Sequence, residues 1–219
     1  MLTTPQIMAM LQGTVLTIQL TVIGIIAGTI LGIVLALGRI SKSKLLNALT
    51  WFYVWVFRGT PLLMQLFIIV YAIPLFTLDI LGNPVRLPLL VAAAVTYSLN
   101  SAAYLAEIFR AGIQSIDKGQ MEASKALGMS YYQAMFKIII PQAYRRLIPP
   151  VGNEIIMLLK DTSLVASIGL FELLRTVNQM SNATGRWFYY IYAAVVYLFL
   201  TSIVQLGFDK IEKRYSIYD

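Results

Sequence analysis

The stretch "EASKALGMSYYQAMFKIIIP", residues 122–141, sits in a chain that is otherwise very apolar. It carries Glu122, Lys125 and Lys137, several small residues, a glycine at 128 and a closing proline at 141. Good helix formers run from Met121 to Leu127. Gly128 stands where a helix ends, because glycine accepts left-handed backbone angles. The pattern predicts a short amphipathic helix, a turn, and the start of a second, apolar helix. Met121, Lys125 and Gly128 share one helix face; Glu122 and Ala126 share the next. Ala123, Ala126, Leu127 and Met129 give the short helix an apolar side. It is either a solvated loop helix or a docking element. A short helix in water does not hold apolar surface without a partner, which favours docking.

The rest of the chain sets the solvent. Of 219 residues, 58% are hydrophobic and 12% charged, about half the charged share of a soluble domain. The predicted class is an all-α membrane protein. Without cysteine or histidine, the chain has no disulfides, thiolate or histidine metal sites, or serine–histidine catalysis. The net charge of +7 is first a question of membrane sidedness, and no basic tract with interleaved aromatics suggests nucleic acid. The charge-free first 38 residues hold too long an apolar run for a signal peptide and are expected to be retained.

Five transmembrane helices are predicted, at about 12–38, 46–76, 87–113, 145–170 and 187–209, forming a single domain over 1–219. In the first, Gly24, Gly28 and Gly32 recur every four residues, either as a groove for a close neighbour or as tolerated glycines. The second is interrupted at Arg58. The fourth, "LIPPVGNEIIMLLKDTSLVASIGL", scores poorly on hydropathy because it contains Glu154, Lys160 and Asp161. A crossing is needed there to put the remaining charges on consistent sides. Pro149, Pro150 and Gly152 suggest an irregular helix entry with freed carbonyls. The fifth opens on an interfacial aromatic cluster, "WFYYIYAAVVY".

Five spans place twelve of the seventeen basic residues on one side: Arg39, Lys42 and Lys44; six from Arg110 to Arg146; and Lys210, Lys213 and Arg214. That excess marks the cytoplasmic side. The amino terminus is then outside and the carboxyl terminus cytoplasmic, and the loop 114–141 lies in the cytoplasm.

Ionisable groups inside spans are costly and usually face a cavity or a partner. Glu154 and Asp161 lie seven residues apart, nearly on one helix face and about 10 Å apart along the axis. Asn100, Tyr104 and Glu107 share a face of the third span. The predicted substrate-binding set is Glu154, Asp161, Asn100, Tyr97, Tyr104 and Ser163. In one alternative, Glu154 and Asp161 bind the cationic side chain of arginine, lysine or histidine. In the other, Asp161 forms a structural pair with Lys160 or Arg58. Glu107 is expected to pair with Arg110, three residues on. Arg58, ahead of Gly59, Thr60 and Pro61, suggests a helix break and an interfacial ion pair, or contact with a substrate carboxylate.

At this point the residues resemble a family. Glu122-Ala123-Ser124, then Gly128, then Ile138-Ile139-Ile140-Pro141 is similar to the EAA motif of permease subunits of bacterial ATP-binding-cassette importers. Ser124 replaces an alanine and Ile140 a leucine, with spacing intact. "FRGTPLLMQLF" (57–67), "SAAYLAEIFRAGIQSI" (101–116) and "LLKDTSLVASIG" (158–169) resemble the polar amino-acid uptake branch, of histidine/arginine/glutamine permease type. The resemblance implies a permease in the bacterial cytoplasmic membrane that passes polar amino acids by alternating access. It implies a second permease chain, with a homodimer favoured over a heterodimer. It also implies an extracytoplasmic amino-acid-binding protein and a separate cytoplasmic ATPase gripping the 122–128 helix. Gln120, Glu122, Ala123, Ala126, Leu127, Gly128 and Ser130 become the expected coupling residues. The chain has no Gly-x-x-x-x-Gly-Lys-Ser/Thr loop, so no cofactor is expected here: ATP and magnesium belong to the ATPase, and the chain itself is not an enzyme. Alternatives from other classes are a channel-like or scaffold membrane protein without an ATPase, and an intramembrane enzyme using only Glu154 and Asp161.

Overall fold

The structure, a computed structural model, describes residues 2–215, and every regular element among them is helical. Helix α1 spans Thr4–Arg39. Helix α2 (Lys44–Gly59) is followed by α3 (Leu62–Phe67) and, through one π-turn, α4 (Ile73–Leu81). Helix α5 covers Leu89–Gln114 and α6 Lys118–Ala126. A short α7 (Tyr131–Ala134) runs through a π-segment into α8 (Ile140–Asp161). A 3-10 segment, Thr162–Ile168, leads to α9 (Leu173–Thr184) and α10 (Phe188–Tyr215).

Helices α1 and α5 form the centre of the bundle. Gly24 faces Tyr97, Gly28 faces Ser101 and Gly32 faces Leu105. The partner number rises in step with the glycine number, so the two helices run parallel. A Cβ at Gly28 would lie 2.8 Å from the Ser101 Cβ and 3.3 Å from the Ala102 backbone nitrogen. The glycines are therefore the contact surface itself. Gly28→Leu is expected to cost about 1–3 kcal/mol or more through overpacking, seen as early loss of monodisperse protein on heating in detergent. Ile30→Leu, on the exposed face of α1, is the matched control; equal losses for both would refute the packing role.

Parallel neighbours require a return path, and the segment from α2 to α4 supplies it. Helix α8 runs against α5, with Tyr97 beside Asp161, Ser101 beside Glu154 and Gly112 beside Leu147. Helix α10 runs against α8, pairing Tyr144 with Tyr215 and Gly152 with Phe208. At one end of the bundle Met10, Leu173, Val177, Tyr189 and Ala193 close a small core. There Glu172, with no exposed surface, caps α9 by accepting from the Leu174 and Arg175 backbone nitrogens, and Tyr197 donates to it at 2.9 Å. At the opposite end Arg39 meets Glu107, and Arg146 donates to the Ser115 carbonyl.

The polarity is inverted relative to a protein folded in water. Ile26, Ile30, Val34, Leu198, Phe199 and Leu206 point outward, while Thr17, Thr96, Asn100, Ser101 and Glu154 are buried. Among the described residues, four helical stretches are long and apolar enough to cross a membrane: Thr4–Arg39, Leu62–Leu81, Leu89–Gln114 and Phe188–Tyr215.

The break expected at Arg58 is present, and the fourth predicted span differs from expectation in two ways. The second predicted span, 46–76, is two helices that part at Thr60, whose backbone is extended (φ −116°, ψ 143°) ahead of Pro61. A residue before proline is pushed out of the helical region, and proline lacks the amide for the next turn. In the fourth, Pro149 and Pro150 lie inside a continuous α8 rather than at an irregular entry. Neighbouring helices tolerate such prolines by satisfying the freed groups. The α-helical part of that predicted span also ends at Asp161, where the chain tightens into the 3-10 segment before Gly169.

Candidate functional site

The break at Gly59–Pro61 opens a cavity of about 490 Å³ between α2, α3, α5 and α8. Asn100 and Tyr104 enter it from α5; Glu154, Met157, Leu158 and Asp161 come from α8; Arg58 and the broken segment close it. The volume falls within the ~300–1,000 Å³ typical of small-molecule sites.

The break is held by side chains. Gln65 donates through Nε2 to the Phe57 carbonyl (2.8 Å), the Thr60 carbonyl (3.1 Å) and the Thr60 hydroxyl (2.9 Å). These are the groups left without helical partners where the helix parts. Asn100 Nδ2 donates to Gln65 Oε1 (3.0 Å) and to the Phe57 carbonyl (3.3 Å), which ties the break to α5. Gln65 and Ser101 were absent from the sequence expectation. A glutamine four residues after a proline in an apolar run was the signal available.

Charge of both signs faces the cavity. Glu154 is 7% exposed and accepts from Ser101 Oγ at 3.1 Å. Asp161 lines the same space two turns on. Among the described residues neither carboxylate forms an ion pair, so the expected alternative pairing of Asp161 with Lys160 or Arg58 is not seen. The Arg58 guanidinium stacks over the Tyr104 ring, 5.2 Å from its centre.

Below the cavity, Glu107 accepts from Arg110 Nη2 (2.6 Å) and Nε (3.0 Å) and from Arg39 Nε (3.1 Å), with Arg58 at 4.0 Å. The pairing with Arg110 is present as read from the spacing. Arg39 is an additional partner, brought in by the parallel packing of α1 on α5. Arg58 belongs both to this network and to the cavity lining.

Two of the predicted substrate contacts do not line this cavity. Tyr97 is fully buried in the core with Leu20, Leu66 and Leu158, and its hydroxyl donates to the Asp161 carbonyl at 3.0 Å. It braces α8 and does not line the cavity. Ser163 lies in the 3-10 segment and is also absent from the lining. Two positions past Asp161 is more than half a turn in either an α-helix or a 3-10 helix, so residue 163 lies off the Glu154–Asp161 stripe.

The second site is α6. Its inner side is anchored: Ser124 is buried and donates to the Gln120 carbonyl at 2.6 Å, and Met121 packs against Ile116, Met135, Ile139 and Ala143. Gln142 donates to Gln120 Oε1 at 3.2 Å, fixing α6 to α8. Glu122, Ala123, Ala126 and Leu127 face outward, and Leu127 is 83% exposed. Asp117 caps the start by accepting from the Gly119 nitrogen. At the other end the Gly128 nitrogen donates to the Lys125 carbonyl and the Met129 nitrogen to the Ser124 carbonyl. This is a Schellman closure, and it requires the positive φ of +79° seen at Gly128. Ser130 then caps α7 in a reciprocal pair with Gln133. The result is a rigid, outward-facing platform with an apolar patch.

Residues 28–217 match the family of binding-protein-dependent transport system inner membrane components. The chain is 39% identical over 218 residues to the arginine transport system permease protein ArtQ of Bacillus subtilis (strain 168), covering 99% of this chain and 97% of that protein. It is 36% identical over 211 residues to a putative glutamine transport system permease protein GlnP of Rickettsia bellii (strain RML369-C), covering 96% and 94%. The L-cystine transport system permease protein TcyB of B. subtilis is 40% identical over 204 residues, covering 92% and 84%. A crystal structure of an amino acid ABC transporter with histidines superposes with a TM-score of 0.85 at 36% identity, covering 94% of each chain. A structure of the MetNI methionine ABC transporter shares the fold, with a TM-score of 0.78 at 21% identity over 98% of this chain and 99% of that one. With its apolar outward faces and its core carrying the signature of that family along nearly the whole length, this chain belongs to the binding-protein-dependent transport system inner membrane components, as a multi-pass permease.

Proposed function

We propose that this permease passes a polar, cationic amino acid through the cytoplasmic membrane by alternating access, with ATP hydrolysed on a separate subunit seated on α6. The observation that carries the substrate class is the cavity holding Arg58 together with Glu154 and Asp161. An amino acid presents a carboxylate and an ammonium whatever its side chain. Arg58 matches the carboxylate, in the planar geometry a guanidinium favours. One acidic residue matches the α-ammonium, and the second is left for a cationic side chain. Carboxylates shielded from water attract a cation strongly and disfavour an anionic substrate. Glutamine, glutamate or another polar amino acid is the alternative cargo, since relatives named for glutamine and cystine are 36% and 40% identical to this chain.

The topology follows the same reading. Five traverses put the amino terminus outside and the carboxyl terminus in the cytoplasm, supported by α1 and α5 running parallel with α8 opposed. The fourth traverse is α8, whose carboxylates Glu154 and Asp161 face the cavity. The platform of Gln120, Glu122, Ala123, Ala126, Leu127, Gly128 and Ser130 then lies in the cytoplasm as the seat of the ATPase. A second permease chain, preferentially an identical one, and an extracytoplasmic binding protein complete the assembly.

The test is purification of a tagged chain from native membranes in mild detergent, with the binding protein added and ATP hydrolysis measured across a panel of amino acids. Co-purification of an ATPase stimulated by arginine, lysine or histidine is the expected result. Stimulation by glutamine alone would retain the transporter and discard the cationic selectivity. An intact complex containing no ATPase would overturn the importer assignment for this chain.

A further inference from the structure

Outside the transport pathway, a groove of about 450 Å³ opens at the turn between α1 and α2, lined by Ser41, Lys42, Lys44, Asn47, Ala48 and Trp51. Its floor is built. Asn47 Nδ2 donates to the Arg39 carbonyl at 2.5 Å, the Ser41 nitrogen to the Gly38 carbonyl at 3.2 Å, and the Ser43 nitrogen to Ser41 Oγ at 3.1 Å. Arg39 is engaged by Glu107, so the free charge of the groove belongs to the lysines. Neither Lys42 nor Lys44 has an acidic partner among the described residues, and both are exposed. The start of α2 adds amide donors and its positive dipole end. Above the groove, α2 is apolar on every outward side: Leu45, Leu46, Leu49, Trp51, Phe52 and Trp55 are all exposed, and the two indoles stack at 5.9 Å.

We infer that this groove binds the phosphate headgroup of an anionic phospholipid, with its acyl chains lying along α2. Two unpaired ammonium groups at the edge of a lipid-facing helix complement an anionic headgroup, each worth ~1 kcal/mol near a charged membrane surface. A free phosphate uses the lysines but leaves the adjoining leucines and tryptophans uncovered. An amphiphile with a negative head satisfies both. Trp51 stands at the boundary between the two halves, the depth that indole rings favour.

The assembled complex, reconstituted in vesicles, is to be irradiated with photoactivatable phosphatidylglycerol or phosphatidylcholine carrying the reactive group near the headgroup. Labelling at residues 41–51 is expected to be about tenfold or more higher with phosphatidylglycerol. Lys42→Gln with Lys44→Gln should bring it to the phosphatidylcholine level, leaving the labelling of Leu198 and Phe199 on α10 unchanged. Equal labelling by both lipids, or labelling undiminished by the double substitution, overturns the inference. The chain has no cysteine of its own, so Ala48→Cys reports directly on a second copy. Disulfide formation between two copies, with the groove unlabelled, makes this face a chain–chain contact and removes the lipid.

Discussion

Glu154→Gln combined with Asp161→Asn, which removes two charged hydrogen bonds, is expected to raise the concentration of a cationic amino acid needed for half-maximal ATPase stimulation by about 100-fold or more. Each charged hydrogen bond lost is worth ~1.5–3 kcal/mol, and 1.4 kcal/mol is a factor of ten. Both side chains keep their shape, so the cavity is not collapsed by the change. A neutral amino acid, which uses only one acidic residue, should be affected much less. Titration of the reconstituted complex with both substrates checks this. Equal weakening of the two would assign the carboxylates a structural role and withdraw the selectivity argument. Arg58→Gln provides the complementary measurement. It should weaken every amino acid alike, because the carboxylate is common to all, while an amine lacking a carboxylate should be indifferent to it.

The second large effect is expected at the α6 platform. Gly128→Val forces a branched side chain into a backbone with φ +79°. The left-handed region costs about 1–2 kcal/mol for an ordinary residue, and the chain can relieve it only by opening the turn between α6 and α7. Substrate-stimulated ATP hydrolysis should fall by tenfold or more while the protein still inserts. Ala123→Trp approaches the same question without strain. Ala123 is exposed in this chain, so a bulky group there leaves the permease unchanged and obstructs only a partner seated on that face. Retained stimulation in both variants, in complexes of normal composition, would refute the coupling role. Loss in Gly128→Val alone would locate the effect in the turn and leave the docking face untested by that change, which is why Ala123→Trp is the deciding variant.

Much of this was legible in residue order. A helix closed by glycine at 128 and a second start at Ser130 are local events, decided by backbone angles and caps within a few residues. The glycines at 24, 28 and 32 left two readings, a groove for a close neighbour or tolerated glycines, and the structure shows the groove, since only a helix face without side chains lets another backbone approach this closely. The identity of that neighbour was not local. Ser101 and Leu105 are more than seventy residues away in the chain, and the spacing of glycines says nothing about which helix is met or in which direction it runs.

The cavity shows the same division. Sequence alone placed Asn100 with Tyr104 on one helix and Glu154 with Asp161 on another, since a helix of 3.6 residues per turn aligns positions four and seven apart. It also marked 58–61 as a break, since proline and the residue before it cannot continue a helix. Pro149 and Pro150 obey the same rule in isolation, yet α8 continues through them, as membrane helices can where their surroundings satisfy the freed carbonyls. Tyr97 is in phase with Tyr104 yet does not reach the cavity, because the phase of a helical stripe does not say which part of it is covered. Tyr97 is sealed by Leu20, Leu66 and Leu158, and Ser163, two positions past Asp161, falls on the other side of its helix. Composition and charge order determined a helical membrane protein with a capped surface helix and acidic groups inside a span, since these follow from hydrophobicity and short-range backbone geometry. Only the tertiary structure decided that α1 lies parallel on α5, that Arg39 reaches Glu107, and that Gln65 and Asn100 hold open the break at Arg58, because those contacts join residues that the linear order keeps far apart.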